Sequence, residues 1–242
     1  MKLLAFDTST ETMSVAVCRD AADGSPRIWQ HSAAGGAKAS STLIPAIMAL
    51  LNEAGLRLNE LDAIAFGAGP GSFTGLRTTC SVAQGLGFGA NVPLLPVGTL
   101  LALAEQARQA RSDPWARLRV VAALDARMDE IYVARYEFND GEWALHGDFD
   151  LIRPEQLVLD PGWVLAGNVA AAYGSRLVWS DGLAGEIVAA LPCAVAMLHL
   201  APALIARGRA LPADQALPCY IRDQVAKTTQ QRAAEKLTAL AA

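Results

Sequence analysis

Little in this 242-residue chain is suited to holding a metal. Its three histidines, His31, His146 and His199, stand apart, with no HxxxH or HExxH spacing, so no zinc-hydrolase pattern is present. The four cysteines (Cys18, Cys80, Cys193, Cys219) are scattered and make no CxxC pair, which points to reduced structural thiols rather than a disulfide frame. Basic charge is also scarce. The formal net charge is −4, and that leaves no electrostatic footprint for nucleic acid; any RNA contact is expected through a partner that supplies the basic surface. Long apolar runs are missing too. The first, Leu3 to Phe6, ends at Asp7 and makes no leader pattern. The longest candidate, Ala194 to Ala206, is broken by His199 and Pro202 and is too short to span a bilayer. No membrane association and a cytoplasmic location are expected.

What is present is a rich supply of core. Hydrophobic residues make up 52% of the chain and charged ones 18%, the balance of a compact protein with one large or two modest domains. The chain opens with an apolar run (Leu3 to Phe6), a polar turn Asp7-Thr8-Ser9-Thr10, and an alternating strand through Met13, Val15 and Val17. A third strand follows near Arg27 to Ser32. Ser40 or Ser41 is placed to cap a helix carrying Leu43, Ile44, Ile47, Leu50 and Leu51, which Gly55 ends. Beyond Gly89 come a strand (Val92 to Val97) and a helix from Thr99 to about Gln109.

Then the opening pattern returns. Val120 to Leu124 is apolar, Asp125 breaks it, and alternation resumes through Ile131 and Val133. Placing Asp7 on Asp125 without a gap brings Met13 onto Ile131 and Val15 onto Val133, which predicts a duplicated α/β domain. The second block continues with a hairpin at Asn139-Asp140-Gly141, a helix after Pro154, a short strand at Trp163 to Ala166 and an alanine-rich helix from Ala194 to Arg207. An extended piece, Cys219 to Ile221, precedes a polar helical end with Lys227, Arg232 and Lys236. The expected division is 1–112 for the first half, 113–210 for the second and 211–242 for a tail.

The stretch that organises the chain is Gly67 to Gly89. A glycine-rich turn leaves the strand Asp62 to Phe66 and enters a helix at Phe73, with Ser72 as N-cap. Gly75, Thr79, Ala83 and Gly87 fall on one side of that helix, and Ser81, Gly85 and Gly89 form a second small row. Interior glycines cost about 1 kcal/mol each relative to alanine, so close approach of another backbone is expected, from the same chain or from another subunit. The turn itself lacks the Lys-Ser/Thr of a P-loop and the spacing of GxGxxG, and Pro70 and Thr74 stand where a nucleophile elbow needs glycine.

The phrase GPGSFTGLR, together with MKLLAFDTST at the start, LDARMDEIY in the middle and YIRDQVAKT near the end, resembles the bacterial TsaB (YeaZ) family in order and over nearly the whole chain. The resemblance implies a duplicated actin-like (ASKHA, ribonuclease-H-like) fold and a non-catalytic subunit. It implies binding to TsaD, with the ATPase TsaE, in transfer of threonylcarbamoyl to the adenosine beside the tRNA anticodon. It assigns no catalytic residue, no metal and no resident cofactor, and leaves room for weak nucleotide binding at or near the partner interface.

In actin-like enzymes the two first turns grip nucleotide phosphates. Here Asp7, Ser9 and Thr10 in one turn and Asp125 and Arg127 in the other lack the glycine that lets backbone amides approach a phosphate. They are read as degenerate turns. The alternative is an actin-like ATPase or small-molecule kinase that holds magnesium and nucleotide with Asp7 and Asp125. The expected partner surface is formed by the two helices, through Leu43, Ile44, Ile47, Leu51, Ser72, Gly75, Leu76, Thr79, Ala83 and Gly87. In the free chain the same faces can pair with a second copy.

Overall fold

Strands buried on both faces read as unbroken apolar runs, and two such runs form the centre of the first sheet in the computed structural model of the protein. The structure describes residues 1–21, 23–180, 182 and 185–221. The expected polar helix with Lys227, Arg232 and Lys236 lies outside them. The first half contains β1 (Lys2–Asp7), β2 (Thr12–Asp20), β3 (Pro26–Ala34), α1 (Ala39–Ala54), β4 (Ala63–Gly69), α2 (Phe73–Ala90), β5 (Leu94–Gly98) and α3 (Thr99–Gln109). The second contains β6 (Leu118–Arg127), β7 (Glu130–Asn139), β8 (Glu142–Ile152), β9 (Val158–Leu159), β10 (Val164–Gly167), α4 (Val169–Tyr173), β11 (Val178–Trp179), β12 (Ile187–Ala189) and α5 (Ala194–Ala206).

The sheet orders are β3-β2-β1-β4-β5 and β8-β7-β6-β10-β12. In each, the strands at the first three positions pair antiparallel, and those at the third, fourth and fifth positions pair parallel. That is one order used twice, the ribonuclease-H-like arrangement, and the duplication is real. β9 and β11 form a separate two-stranded parallel pair.

Each half gives a helix to the other. α3 buries Leu100, Leu103, Ala104 and Ala107 against Val120, Ala122 and Leu124 of the second sheet. α5 buries Ala194, Met197 and Ala201 against Leu3, Ala5, Ala65 and Val97 of the first. Buried Glu105 on α3 accepts from Trp143 Nε1 on β8 at 2.9 Å and from Arg108 on its own helix, fixing this joint with charge-assisted bonds.

On the opposite face of the first sheet, Phe6, Met13, Val15 and Phe66 pack against Leu43, Ile47 and Leu51 of α1 and Cys80 and Ala83 of α2. α1 does not start at Ser40 or Ser41. It emerges at Ala39 from a 3-10 turn, Gly36–Lys38, and Ser41 bonds back to the Lys38 carbonyl at 3.0 Å. Its end is as expected, Gly55 adopting φ 63°. After Pro154 there is only a 3-10 turn, Pro154–Gln156, closed by the Gln156 side chain accepting from the Arg153 amide at 2.8 Å.

Candidate functional site

Two regions meet around α2: the cleft between the halves at its head, and an open face along its outer side. The cleft, a cavity of about 410 Å³, is lined by both first turns, the loop Pro70–Phe73, Asn168 and the extended piece Cys219–Ile221.

The first turn is packed solid. Asp7 is fully buried; its Oδ1 accepts from the Ser9 amide at 2.8 Å and the Ser9 hydroxyl at 2.7 Å, while its Oδ2 has no hydrogen-bond partner among the described residues. Burial pushes its carboxyl up to about 6, against the pull of the two Ser9 bonds. Thr8 donates to the Gly75 carbonyl at 2.8 Å, and Thr79 donates to the same oxygen at 3.0 Å. Ser72 N–H closes on the Ser9 carbonyl at 2.7 Å, and a Cβ on Gly71 would sit 2.6 Å from that of Ser9. Apart from Asp7 Oδ2, the polar groups of Asp7, Thr8 and Ser9 named here are thus taken up within the turn or by α2 and its entry loop. Ser72 caps α2 as expected, accepting from Gly75 N–H at 3.1 Å.

The second turn is built differently. Arg127, Met128 and Asp129 have φ of 61°, 56° and 64°, a left-handed run that costs of order 1–2 kcal/mol per residue. Side-chain bonds hold it. Asp125 Oδ1 accepts from Arg127 N–H and from the Tyr173 hydroxyl, both at 2.8 Å; the Asp125 amide donates to Asn168 at 2.9 Å; Asp129 pairs with Arg176. Arg127 lies 3.4 Å from Asp125.

The gapless equivalence of Asp7 with Asp125 does not hold. A bulge between Asp125 and Arg127 shifts the β6–β7 pairing by one residue, and a one-residue slip turns side chains to the other face. Asp7 shares the side of Leu3 and Ala5, toward α5; Asp125 shares that of Val121 and Ala123, toward Val169 and Tyr173 on α4. The second strands do align as expected: Met13 and Ile131 are both fully buried, on corresponding faces.

The partner-surface residues also separate. Leu43, Ile47, Leu51, Gly75, Leu76, Thr79, Ala83 and Gly87 are buried within the chain itself; Ile44 and Ser72 are exposed. The small-residue row serves the chain's own sheet. A Cβ on Gly75 would lie 1.9 Å from the Thr8 carbonyl oxygen, and one on Gly87 2.6 Å from Leu94 Cδ2. The open face is the neighbouring row. Ile44 and Met48 are 46% and 48% exposed on α1, and Phe88 is 84% exposed on α2. Ser81, Gly85 and Gly89 are exposed, with nothing within 4 Å of a Cβ built on either glycine. Met48 widens the α1 stripe in the sequence; Phe88 escapes notice there, although a lone aromatic among small helical residues is a signal of its own.

The histidines lie far apart in function. His146 sits 3.2 Å from Glu137 with its ring against Trp163, and His199 lies 3.8 Å from Glu105. Among the described residues no group of three or more His, Cys, Asp or Glu is arranged to hold a metal, and no helix is long and apolar enough to cross a membrane.

Two sheets of the same strand order, β3-β2-β1-β4-β5 and β8-β7-β6-β10-β12, with a cleft between their first turns define a duplicated ribonuclease-H-like protein of the actin-like class. Comparison with known proteins narrows this. A family model described as "TsaD: tRNA N6-adenosine threonylcarbamoyltransferase" matches residues 31–240. The tRNA threonylcarbamoyladenosine biosynthesis protein TsaB of Escherichia coli is 34% identical, covering 93% of this chain and 96% of that protein. The TsaB of Haemophilus influenzae is 34% identical, covering 93% and 95%. The solved structure of YeaZ from Pseudomonas aeruginosa is 39% identical with a TM-score of 0.79, covering 91% of this chain and 99% of that one. The chain belongs to the TsaB family.

Proposed function

We propose that this chain is a non-catalytic subunit in the formation of threonylcarbamoyladenosine in tRNA, docking a TsaD-type transferase and working with a TsaE-type ATPase. The observation that carries this is the pairing of a filled first turn with an open helical face. Ser9 and Asp7 Oδ1 bond one another, and Thr8 bonds α2. Among the described residues lining the cleft, Glu11 and Asp125 are set against the single guanidinium of Arg127, a balance that does not favour a polyphosphate.

Docking occurs through Ile44, Met48, Ser81, Gly85 and Phe88, the side-chain-poor row allowing a partner helix close approach. In the absence of the partner the same face joins a second copy of the chain. A modification assay with and without this subunit, alongside TsaD and TsaE from the same source, tests the role. Loss of product without it is expected, as is loss of co-purification with TsaD in Phe88→Asp. Undiminished modification without the subunit sinks the proposal. Calorimetry with ATP and magnesium tests the ATPase or kinase alternative, which requires tight binding abolished by Asp7→Ala; absence of binding is expected.

A further inference from the structure

The outer row of α2 runs Phe73, Arg77, Ser81, Gly85, Gly89 at four-residue spacing, and all five are exposed to some degree. Its two ends differ. The far end is bare around Gly85, Phe88 and Gly89. At the head, the chain returns to cover its own helix. The Tyr220 ring lies 5.4 Å from that of Phe73, Arg77 Nε donates to the Tyr220 hydroxyl at 3.1 Å, and the Arg77 guanidinium stacks 3.8 Å over Phe73.

The segment that brings Tyr220 there is fixed at its base and lightly held beyond it. Ala216 is fully buried, its carbonyl accepting from Gln84 Nε2 at 2.8 Å. Among the described residues from Leu217 to Ile221, one main-chain bond is made, Cys219 N–H to the Ala68 carbonyl at 2.6 Å. Leu217 is 71% exposed, Tyr220 is 41% exposed and Cys219 is also open. Ile221 then touches the core of the second half. A segment with few buried apolar contacts and exposed backbone bonds opens at low free-energy cost.

We propose that residues 217–221 form a detachable strap that occupies the head of the α2 docking face and yields it to the incoming partner. The inference rests on the docking role of α2 given above. With the strap seated, the bare part of the row, Ser81 to Gly89, is only about 12 Å long, two helical turns. With the strap displaced, the row from Phe73 to Gly89 is about 24 Å, and Phe73 and Arg77 become a stacking and hydrogen-bonding head for the partner. Tyr220 holds the partner's place in the free chain.

The test compares full-length wild type, Tyr220→Phe and Tyr220→Ala by hydrogen exchange at the Cys219 amide and by affinity for the TsaD-type protein from the same source. Phe88→Asp serves as the control for the face. In free Tyr220→Ala the Cys219 amide should lose protection while β4 and the core of α2 keep theirs. In wild type, docking should remove that protection. Removing the displacement step should tighten binding by Tyr220→Ala about threefold or more, since apparent affinity scales with the competent fraction, with Tyr220→Phe between the two. Weaker binding by a folded Tyr220→Ala, or Cys219 protection kept or raised in the wild-type complex, overturns the strap. If neither wild type nor any variant binds, the docking reading has failed. Exchange alone then judges the strap: protection lost in Tyr220→Ala supports it as a cover, and protection unchanged overturns it.

Discussion

α2 carries glycine on both of its faces, and the two sets meet different surroundings. Gly75 and Gly87 look inward, where a β-carbon would collide with the Thr8 carbonyl or the Leu94 side chain; Gly85 and Gly89 look outward into open space. Glycine in a helix interior costs about 1 kcal/mol wherever it sits. Inside, that cost is offset by letting the helix lie on the first turn and seal it. Outside, no described residue comes within 4 Å to offset it, which accords with the docking proposed for that face.

Substitutions can break or sharpen this contrast, and the largest effect belongs inside. Gly75→Ala forces a β-carbon onto the Thr8 oxygen and should cost about 3 kcal/mol or more, read as a drop in denaturant midpoint. Ala83→Arg, which puts a charge at a fully buried position, should unfold the chain rather than merely abolish docking.

Next comes Asp7, sealed beneath the inner face. Its carboxyl is raised from 3.8 to about 6 by burial, so the folded chain holds its proton more tightly than the unfolded chain does. Stability from this group is therefore greatest below pH 4 and falls as pH rises toward 6, by about 3 kcal/mol in all. Asp7→Asn should flatten that slope between pH 4 and 6 and raise the melting temperature at pH 8. A smaller loss is expected of Thr79→Val, which gives up the bonds to the Gly75 carbonyl and to Thr8; about 1–2 kcal/mol is expected, in thermal melts. The smallest effect has the opposite sign. Gly85→Ala should stabilise the free chain by about 1 kcal/mol while weakening the docking proposed for the outer face, measurable by co-purification.

Much of the frame was legible in the residues. Runs such as Leu3 to Phe6 and the second apolar run from Val120 announce central strands, and their repetition announces the duplication. The failures have physical causes. The bulge after Asp125 moves one strand by a single residue while leaving its partner in place, and no hydrophobic pattern reports that, because both faces of β6 are apolar. The inner and outer rows of α2 are equally small, so size alone does not say which touches the sheet. Tyr220 reaches Phe73 across 147 residues of sequence, a contact that local pattern does not encode. The proposed docking surface keeps Ile44 from the expected set and moves from Leu43, Ile47 and Ala83 to Met48 and Phe88, a rotation about the same two helices.

The exchange of α3 and α5 between the halves has a consequence for how the protein is made. The inner face of the first sheet, with Leu3, Ala5, Ala65 and Val97, is complete once Gly98 leaves the ribosome, but the helix that shields it begins at Ala194. At ordinary synthesis rates that interval lasts roughly 5–20 s. Through it the nascent chain presents a greasy plane that α3 covers only at Leu101 and Ala102, and that a chaperone would have reason to hold.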